Sequence, residues 1–425
     1  MLYINVDGNR IKENLIMCSK KEKLMIIVGA GASIPFGNFS CAQIETLFKD
    51  KSPTILKLQS KETSLYEYCS DEINKFRATK KPFGCTQPIT EKTNFEQVIY
   101  EMLNIYAISQ EAHNKATGAF FKLKKFPQKI NARTHKLNEI DSYDFLTESE
   151  SLICILANEM RKKSTCFNSR PLFGKFQALC SRLKDKYDIG VLNFNYDDIF
   201  EEGFSFALNT GFNPNGIFDS MKIVKGDWNF LYYPHGSLHF DIDPYDEDDD
   251  FHYEKDLSKL IKSPPINNNP KKTIEGFSIL RTPIIVGYGK AYQTQRNPFS
   301  LYINDFAKKI FEADKILFVG YGFRDIYINN LIQLSMNYNP NRKVVVIDFI
   351  DSNKKQDCID AAKCTDLYYT RLNDVFFINA EDFKKTDIHS VDFVQSNNTN
   401  HPRSVSFRGF DYFINNPQKL LDELK

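Results

Sequence analysis

Four short stretches carry residues whose types and spacing suit proton transfer and the holding of a phosphorylated sugar. In the first, Leu24-Met25-Ile26-Ile27-Val28-Gly29-Ala30-Gly31-Ala32-Ser33, five apolar residues run into two glycines spaced by one. A buried strand that leaves through so bare a turn either bends where only glycine fits or seats a phosphate. In the second case the unpaired amides of the turn carry partial positive charge and need no basic side chain, and Ser33 adds a hydroxyl. The full dinucleotide fingerprint asks for a third glycine where Ile34 stands. The second stretch, Val191-Leu192-Asn193-Phe194-Asn195-Tyr196-Asp197-Asp198, alternates so that Asn193, Asn195 and Asp197 share one face if the strand persists. An amide and a carboxylate there offer donors and acceptors together to sugar hydroxyls or a carboxamide. Asp197 or Asp198 can equally cap the helix that follows.

The third stretch, Tyr233-Pro234-His235-Gly236-Ser237-Leu238-His239, fixes His235 on a loop between proline and glycine. Histidine is the side chain suited to take or stabilise a proton near neutral pH, and it also serves as a structural hydrogen-bonder. In the fourth, Ile316-Leu317-Phe318-Val319-Gly320-Tyr321-Gly322-Phe323-Arg324-Asp325, a buried strand again ends in glycines, and Asp325 can cap a helix carrying Asn329. The next strand, Val344 to Ile347, ends at Asp348, which can hold ribose hydroxyls or begin a turn. Val286-Gly287-Tyr288-Gly289 repeats the chemistry of Val319-Gly320-Tyr321-Gly322.

These groups need elements to hold them. Strand-like runs occur at Leu24 to Val28, Ile189 to Phe194, Leu231 to Tyr233, Pro283 to Val286, Lys315 to Val319 and Lys343 to Ile347. The last two bracket a helical run over 325–336, a strand–helix–strand unit of the kind found in parallel sheets. Between 50 and 186 the apolar residues of 94–109 and 148–163 recur at helical spacing instead. The expected architecture is α/β: a Rossmann-like open, mainly parallel sheet with helices on both faces and a large helical insertion. Its sheet core is read from 20–49 and 187–350, the insertion from about 50–186, and a small C-terminal extension from 351–425. The closing segment FDYFINNPQKLLDEL contains a proline, so any final helix is short.

Composition narrows the classes. Fifty-five basic and 54 acidic residues leave a formal charge of +1, so no global field advertises nucleic acid or an anionic membrane. No apolar run approaches the ~20 residues that span a bilayer, and the start MLYINVDGNRIKENL lacks a signal-peptide core. Nine scattered cysteines, among them Cys358 and Cys364, form no C-x-x-C pair, which fits a reduced, cytoplasmic protein without a tetrahedral metal module. The acidic run Asp246 to Asp250 reads as a solvated loop. Lys122, Lys124, Lys125 and Lys129, interleaved with Phe120, Phe121 and Phe126, read as a solvated edge.

In this order the four stretches resemble the sirtuin superfamily, specifically the bacterial sirtuin-like NAD hydrolases of anti-phage defence. Gly29-Ala30-Gly31-Ala32-Ser33 matches the family's Gly-Ala-Gly-x-Ser loop, Asn195-Tyr196-Asp197 its Asn-x-Asp step, and His235-Gly236 its His-Gly. Gly320-Tyr321-Gly322-Phe323-Arg324-Asp325, with Ile328-Asn329, fits the bacterial branch, as does Thr93-Asn94-Phe95-Glu96 at the start of the insertion. The resemblance covers roughly residues 20 to 350. The chain departs from the deacylating members in lacking the zinc module's two C-x-x-C pairs. An arginine is also missing from the loop Ile34-Pro35-Phe36-Gly37, and Asn193 and Phe194 precede Asn195 where the family has threonine and glutamine.

The resemblance implies NAD as substrate, no metal, and water as the acceptor. The loop from Gly29 to Ser33 is then expected to seat the pyrophosphate, and Asn195 to orient the ribose and the water. Asp197 lies near the carboxamide and His235 accepts a proton, while Asp348 and the turn Gly320-Tyr321-Gly322 hold the adenosine end. A homo-oligomer and an activating partner, such as a DNA-translocating ATPase, are expected to keep the enzyme silent. The alternatives are a non-catalytic NAD or ADP-ribose sensor and an NAD-dependent protein deacylase.

Overall fold

Seven strands form the main sheet: Glu22–Val28 (β1), Tyr187–Asn193 (β2), Phe230–Tyr232 (β3), Lys315–Val319 (β4), Lys343–Ile347 (β5), Val394–Gln395 (β6) and Arg403–Ser406 (β7). The computed structural model describes residues 21–59, 61–79, 93–114, 126–164, 171–242, 251–260, 273–274, 277–278, 280–287, 293–323, 325–349, 391–396 and 402–425. The strand order is β3-β2-β1-β4-β5-β7-β6, and every pairing but β6 with β7 is parallel. From Leu24 to Val28 β1 is an unbroken apolar run because it is central and both its faces are covered there. Its register pairs Val28 with Asn193 on one side and Val319 on the other, and Val319 with Ile347. The carboxyl ends of β1, β2, β4 and β5 therefore lie level along one edge. The order reverses between β1 and β4, the switch point where open α/β sheets bind ligands.

Helices cover both faces. On one, Pro171–Lys186 (α5) places Phe176 against Phe36, Phe200 and Phe410, with ring centroids 5.1–5.7 Å apart. On the other, Phe299–Glu312 turns Phe299, Tyr302, Phe306 and Ile310 inward at helical spacing, and Tyr302 stacks on Tyr232 at 4.7 Å. It packs beside Ile326–Tyr338, which joins β4 to β5. With Cys41–Lys51 (α1), Leu65–Ala78 (α2), Phe95–Asn114 (α3), Ser142–Ser164 (α4) and the short Ile199–Gly203 (α6) ahead of them, these two are α7 and α8. Phe410–Asn415 and Pro417–Glu423 close the chain as α9 and α10.

The insertion is not purely helical. α1 to α4 pack around a second core that includes Phe48, Tyr66, Phe95, Met102 and Leu152, edged by a small antiparallel sheet of Glu62–Ser64, Ile55–Lys57, Gln128–Ile130 and Leu137–Asn138. This second core also takes in Tyr196, Leu238 and Ile284, so the loops after β2 and β3 are clamped between the insertion and the sheet.

Two expectations change. Pro283 to Val286 makes a single bridge, Ile284 to Gly236, because its partner is a turn and not an extended strand. The sheet does not stop at 350: β6 and β7 complete it, and α9 packs on α5. The closing proline begins α10, so the last segment is two short helices. The acidic run 246–250, Phe120, Phe121, Lys122, Lys124, Lys125, Tyr288, Gly289, Arg324 and five cysteines (Cys18, Cys85, Cys166, Cys358, Cys364) lie outside the described residues. Lys129 is ion-paired to Asp144 at 2.6 Å, as a structural lysine.

Candidate active site

The two glycine turns at the switch point are packed backbone on backbone. A Cβ on Gly29 would lie 2.6 Å from the carbonyl oxygen of Gly320, and one on Gly320, where φ is +58°, would lie 2.3 Å from the amide nitrogen of Ala32. The glycines are thus required by the close approach of two strand ends, whatever else they do. The expectation of bare amides is corrected here. Gly29 N donates to Val319 O and Gly31 N to Gly320 O, across to the neighbouring strand end, while Ala32 N donates to Gly29 O and Ser33 N to Ala30 O within a 3₁₀ turn over 30–32. A phosphate at this turn would meet a loop whose amides at 29 and 31–33 are already engaged. Ala30 and Gly322 face solvent there.

Asn195 stitches this loop to β2. Its Nδ2 donates to Gly29 O and to Ser33 Oγ, both at 2.8 Å, while its own amide donates to Asn193 Oδ1 at 3.0 Å. Asn193 is fully buried and its Nδ2 donates to Asp197 O. Asp197 is also fully enclosed. It accepts from Asn38 Nδ2 at 2.6 Å, from Ile199 N at 3.3 Å and from Ser33. Burial above all pushes its carboxyl up to about 6, against the pull of the Ser33 and Asn38 hydrogen bonds. The carboxylate therefore grips the loop from behind, and its bond to Ile199 N is the helix-start contact that the capping alternative foresaw. Asn38, which sequence reasoning passed over, closes the grip. A lone asparagine after a turn glycine is too common to single out.

His235 is set by a different pair of contacts. Gly236 at φ +90° leaves no room for a Cβ, which would lie 2.3 Å from Pro283 O, and Ile285 N donates to His235 O at 2.8 Å. The imidazole is 9 % exposed and lies edge-on to Phe194, centroids 5.0 Å apart. Phe194 in turn packs on Tyr321 at 5.2 Å, and its amide donates to Val28 O. Nε2 of His235 is 3.3 Å from Oδ2 of Asp325, whose Oδ1 caps α8 through Ile328 N. Tyr321 OH donates to Asn329, and Asn329 Nδ2 to Phe323 O, which ties the second glycine turn to the same helix.

Gly29, Ala30, Gly31, Ser33, Asn195, Asp197, His235, Gly320, Tyr321 and Gly322 are thereby brought together at one edge of the sheet. Asp348 reaches the same edge one strand away, beside the carbonyl of Ile347 that Gly320 N bonds. Its Oδ1 accepts from Phe349 N, the turn-like contact that was the alternative to ribose binding. Sequence reading foresaw Asp325 only as a cap and gave it no partner at His235. His239, by contrast, is 1 % exposed with Nδ1 on Glu254 O, a structural histidine beside Asp198 and Glu201.

An open cleft of about 680 Å³ lies elsewhere, lined by residues that include Glu201, Asn209, Lys222 and Tyr253. It holds none of the converging groups, so the chemistry and not the cleft locates the site. Among the described residues no three of His, Cys, Asp or Glu converge as metal ligands. Cys69 and Cys154 are buried thiols pushed up to about 12 by that burial. Among the described residues no helix is long and apolar enough to cross a membrane.

No curated protein matches the chain. Residues 190–367 match the family described as SIR2-like domain, a stretch that carries Asn195, His235, Gly320 to Gly322 and Asp348 and begins beyond the Gly29 loop. That match covers less than half of the chain, and over it the chain is similar to the SIR2-like domain family.

Proposed function

We propose that the protein hydrolyses NAD at the nicotinamide–ribose bond, giving nicotinamide and ADP-ribose. The observation that carries this reading is the convergence at the switch point. Asn195 is anchored on the Gly29–Ser33 loop, and His235 approaches the same edge from the next loop, backed by a carboxylate. Cleavage builds an oxocarbenium-like centre, which is served by a group that orients ribose and water and a base that takes the water's proton. Asn195 and His235 fill those roles. Asp197, enclosed behind the loop, acts by holding it; Asp348 and the Gly320 turn lie on the adenosine side. The bond from C1′ to nicotinamide breaks, the bond from C1′ to the water oxygen forms, and the water's proton leaves through His235. Water is preferred to an acyl-lysine because no small zinc lobe is present in the sequence to wall a peptide groove.

We further infer that the activity depletes NAD in anti-phage defence and is restrained by self-assembly or by a partner protein. Purified protein incubated with NAD, alone and with the product of the neighbouring gene, is expected to release nicotinamide and ADP-ribose in equal amounts. His235→Ala should lower that release at least ~10²-fold. NAD binding without product would assign a sensor. Acylated ADP-ribose formed only with an acyl-lysine peptide would assign a deacylase.

A further inference from the structure

Building on the hydrolase reading, we propose that Arg161 of the insertion is a positioning residue that fixes the loop of His235 relative to Asn195. Arg161 lies on α4, outside the stretch that matches the SIR2-like domain, while the three carbonyls it bonds lie inside that stretch. Its side chain is buried. Nε donates to Leu238 O and Nη1 to Leu260 O, both at 2.8 Å, and Nη2 donates to Phe240 O at 2.9 Å. A rigid planar fork can span three carbonyls in one geometry, which a lysine or an apolar side chain cannot do.

Leu238 is where this grip reaches the site. Its carbonyl accepts from Arg161, and its amide donates at 2.8 Å to the carbonyl of Tyr196, the neighbour of Asn195. The same helix also holds the chain on the other side of His235. Glu150, about three turns earlier on the same face of α4, accepts from Arg281 N. The residues that follow bracket the imidazole's backbone: Ser237 N donates to Pro283 O at 3.2 Å and Ile285 N to His235 O at 2.8 Å. Tyr196 OH closes the frame on Ile285 O at 3.1 Å. Both chains that flank His235 are thus fastened to one helix of the insertion. A misplacement of ~1 Å at the reacting atoms can cost ~10²-fold in rate, so a side chain that sets this frame acts on turnover without touching NAD or water.

The test separates positioning from mere support. Arg161→Met keeps the apolar stem and removes the fork, and Arg161→Lys keeps the charge and one donor. Arg403→Met is the control, because Arg403 also donates to backbone carbonyls, at the far edge of the sheet. Each protein is assayed well below its own melting temperature. Arg161→Met should lose ~10²-fold in kcat for NAD, and Arg161→Lys ~10-fold, with KM within about threefold of wild type. With ¹⁵N-histidine labelling and His235→Gln to assign the signal, the His235 ring resonances should shift in both. Arg403→Met should melt lower and keep both kcat and those resonances. Equal kcat losses in Arg161→Met and Arg403→Met would overturn the proposal, as would unchanged kcat and ring resonances in Arg161→Met. A raised KM at unchanged kcat would overturn it too, by moving the effect onto NAD binding. Should Arg161→Met fail to fold, Arg161→Lys carries the same comparison. If the wild-type protein turns over no NAD, the hydrolase reading fails, and the ring resonances alone still decide whether Arg161 places His235.

Discussion

Asn195 is the residue at which support and chemistry are hardest to separate. Both hydrogens of its amide are engaged, one on Gly29 O and one on Ser33 Oγ, so its side chain holds the loop that it would also have to serve. Removing the donor breaks two buried hydrogen bonds, though Gly29 O keeps Ala32 N and the Ser33 hydroxyl keeps Asp197, so the loss is that of two bonds at about 0.5–1.5 kcal/mol each. Asn195→Ala should therefore lower the urea midpoint measurably. Asn195→Asp should lower it further, because it sets a carboxylate against those two oxygens and near Asp197. Lost turnover in Asn195→Ala is for that reason not enough to assign a chemical role. Ser33→Ala supplies the comparison: it breaks the loop's links to Asn195 and Asp197 but spares the Asn195–Gly29 bond. Turnover in Ser33→Ala should stay well above that of Asn195→Ala; equal losses would mean that Asn195 acts only by bracing the loop. Asn195 and His235 stand out in the sequence because polar groups at the ends of apolar runs must lie at a sheet edge. The tasks of Asn38 and Asp325 did not, since each depends on a partner more than 85 positions away, Asp197 and His235 respectively.

The elements show where a readable pattern has more than one physical cause. Two glycine turns after two buried strands are visible in the sequence, and a phosphate seat is one use of them. The structure supplies another: adjacent parallel strands end so close that neither turn tolerates a Cβ. Which strands are adjacent is a property of the whole sheet, so spacing alone could not reveal it. The insertion holds a further element-scale feature. Glu148 lies fully buried on α4, accepting hydrogen bonds from Ser52 Oγ and from Thr54 N at 3.1 Å, and it fastens the helix to the chain leading out of α1. Burial pushes its carboxyl up to about 7 despite those bonds. The folded state then binds more protons than the unfolded one, where a glutamate titrates near ~4.3. Its stabilising effect is present below that value and is lost as pH rises toward about 7. Glu150, pushed to about 7 by the same cause, acts in the same direction. Unfolding midpoints measured from pH 5 to pH 8 should fall with pH. Glu148→Gln, which keeps the bonding oxygen and cannot ionise, should flatten that slope in part, the remainder belonging to Glu150 and to Asp197.

At the scale of the molecule, the parallel α/β plan is legible because β1, β2, β4 and β5 are apolar runs separated by helical periodicity. Its far edge is not. β6 and β7 are two and four residues long, and Arg403-Ser404-Val405-Ser406 has a single apolar residue, so nothing local marks a strand. What makes it one is long-range pairing with β5 and the burial of its polar groups. Arg403 is almost wholly buried and donates to the carbonyls of Arg342 and Pro340, and Lys343 and Ser404 both bond Glu423 of α10. Leu420, Leu421 and Leu424 are fully buried, Tyr187 OH donates to Leu424 O at 3.2 Å, and Lys315 Nζ to Lys425 O at 3.1 Å. The last segment thus fastens the amino ends of β2 and β4, opposite the site, and shields the edge of β5. Deleting 391–425 would bare that edge as a template for intermolecular pairing and uncover the helix-packed face over α5. The deleted protein should lose its cooperative urea transition and near-UV circular dichroism and aggregate on expression, and it should not behave as a stable, smaller enzyme. A more local change, Arg403→Ala, removes the donor to the buried Arg342 carbonyl and to the half-buried Pro340 carbonyl and should cost about 1–3 kcal/mol while β7 stays paired. A deletion protein that unfolded cooperatively at the wild-type midpoint would instead make the segment an appendage, and the sheet core would then end at β5.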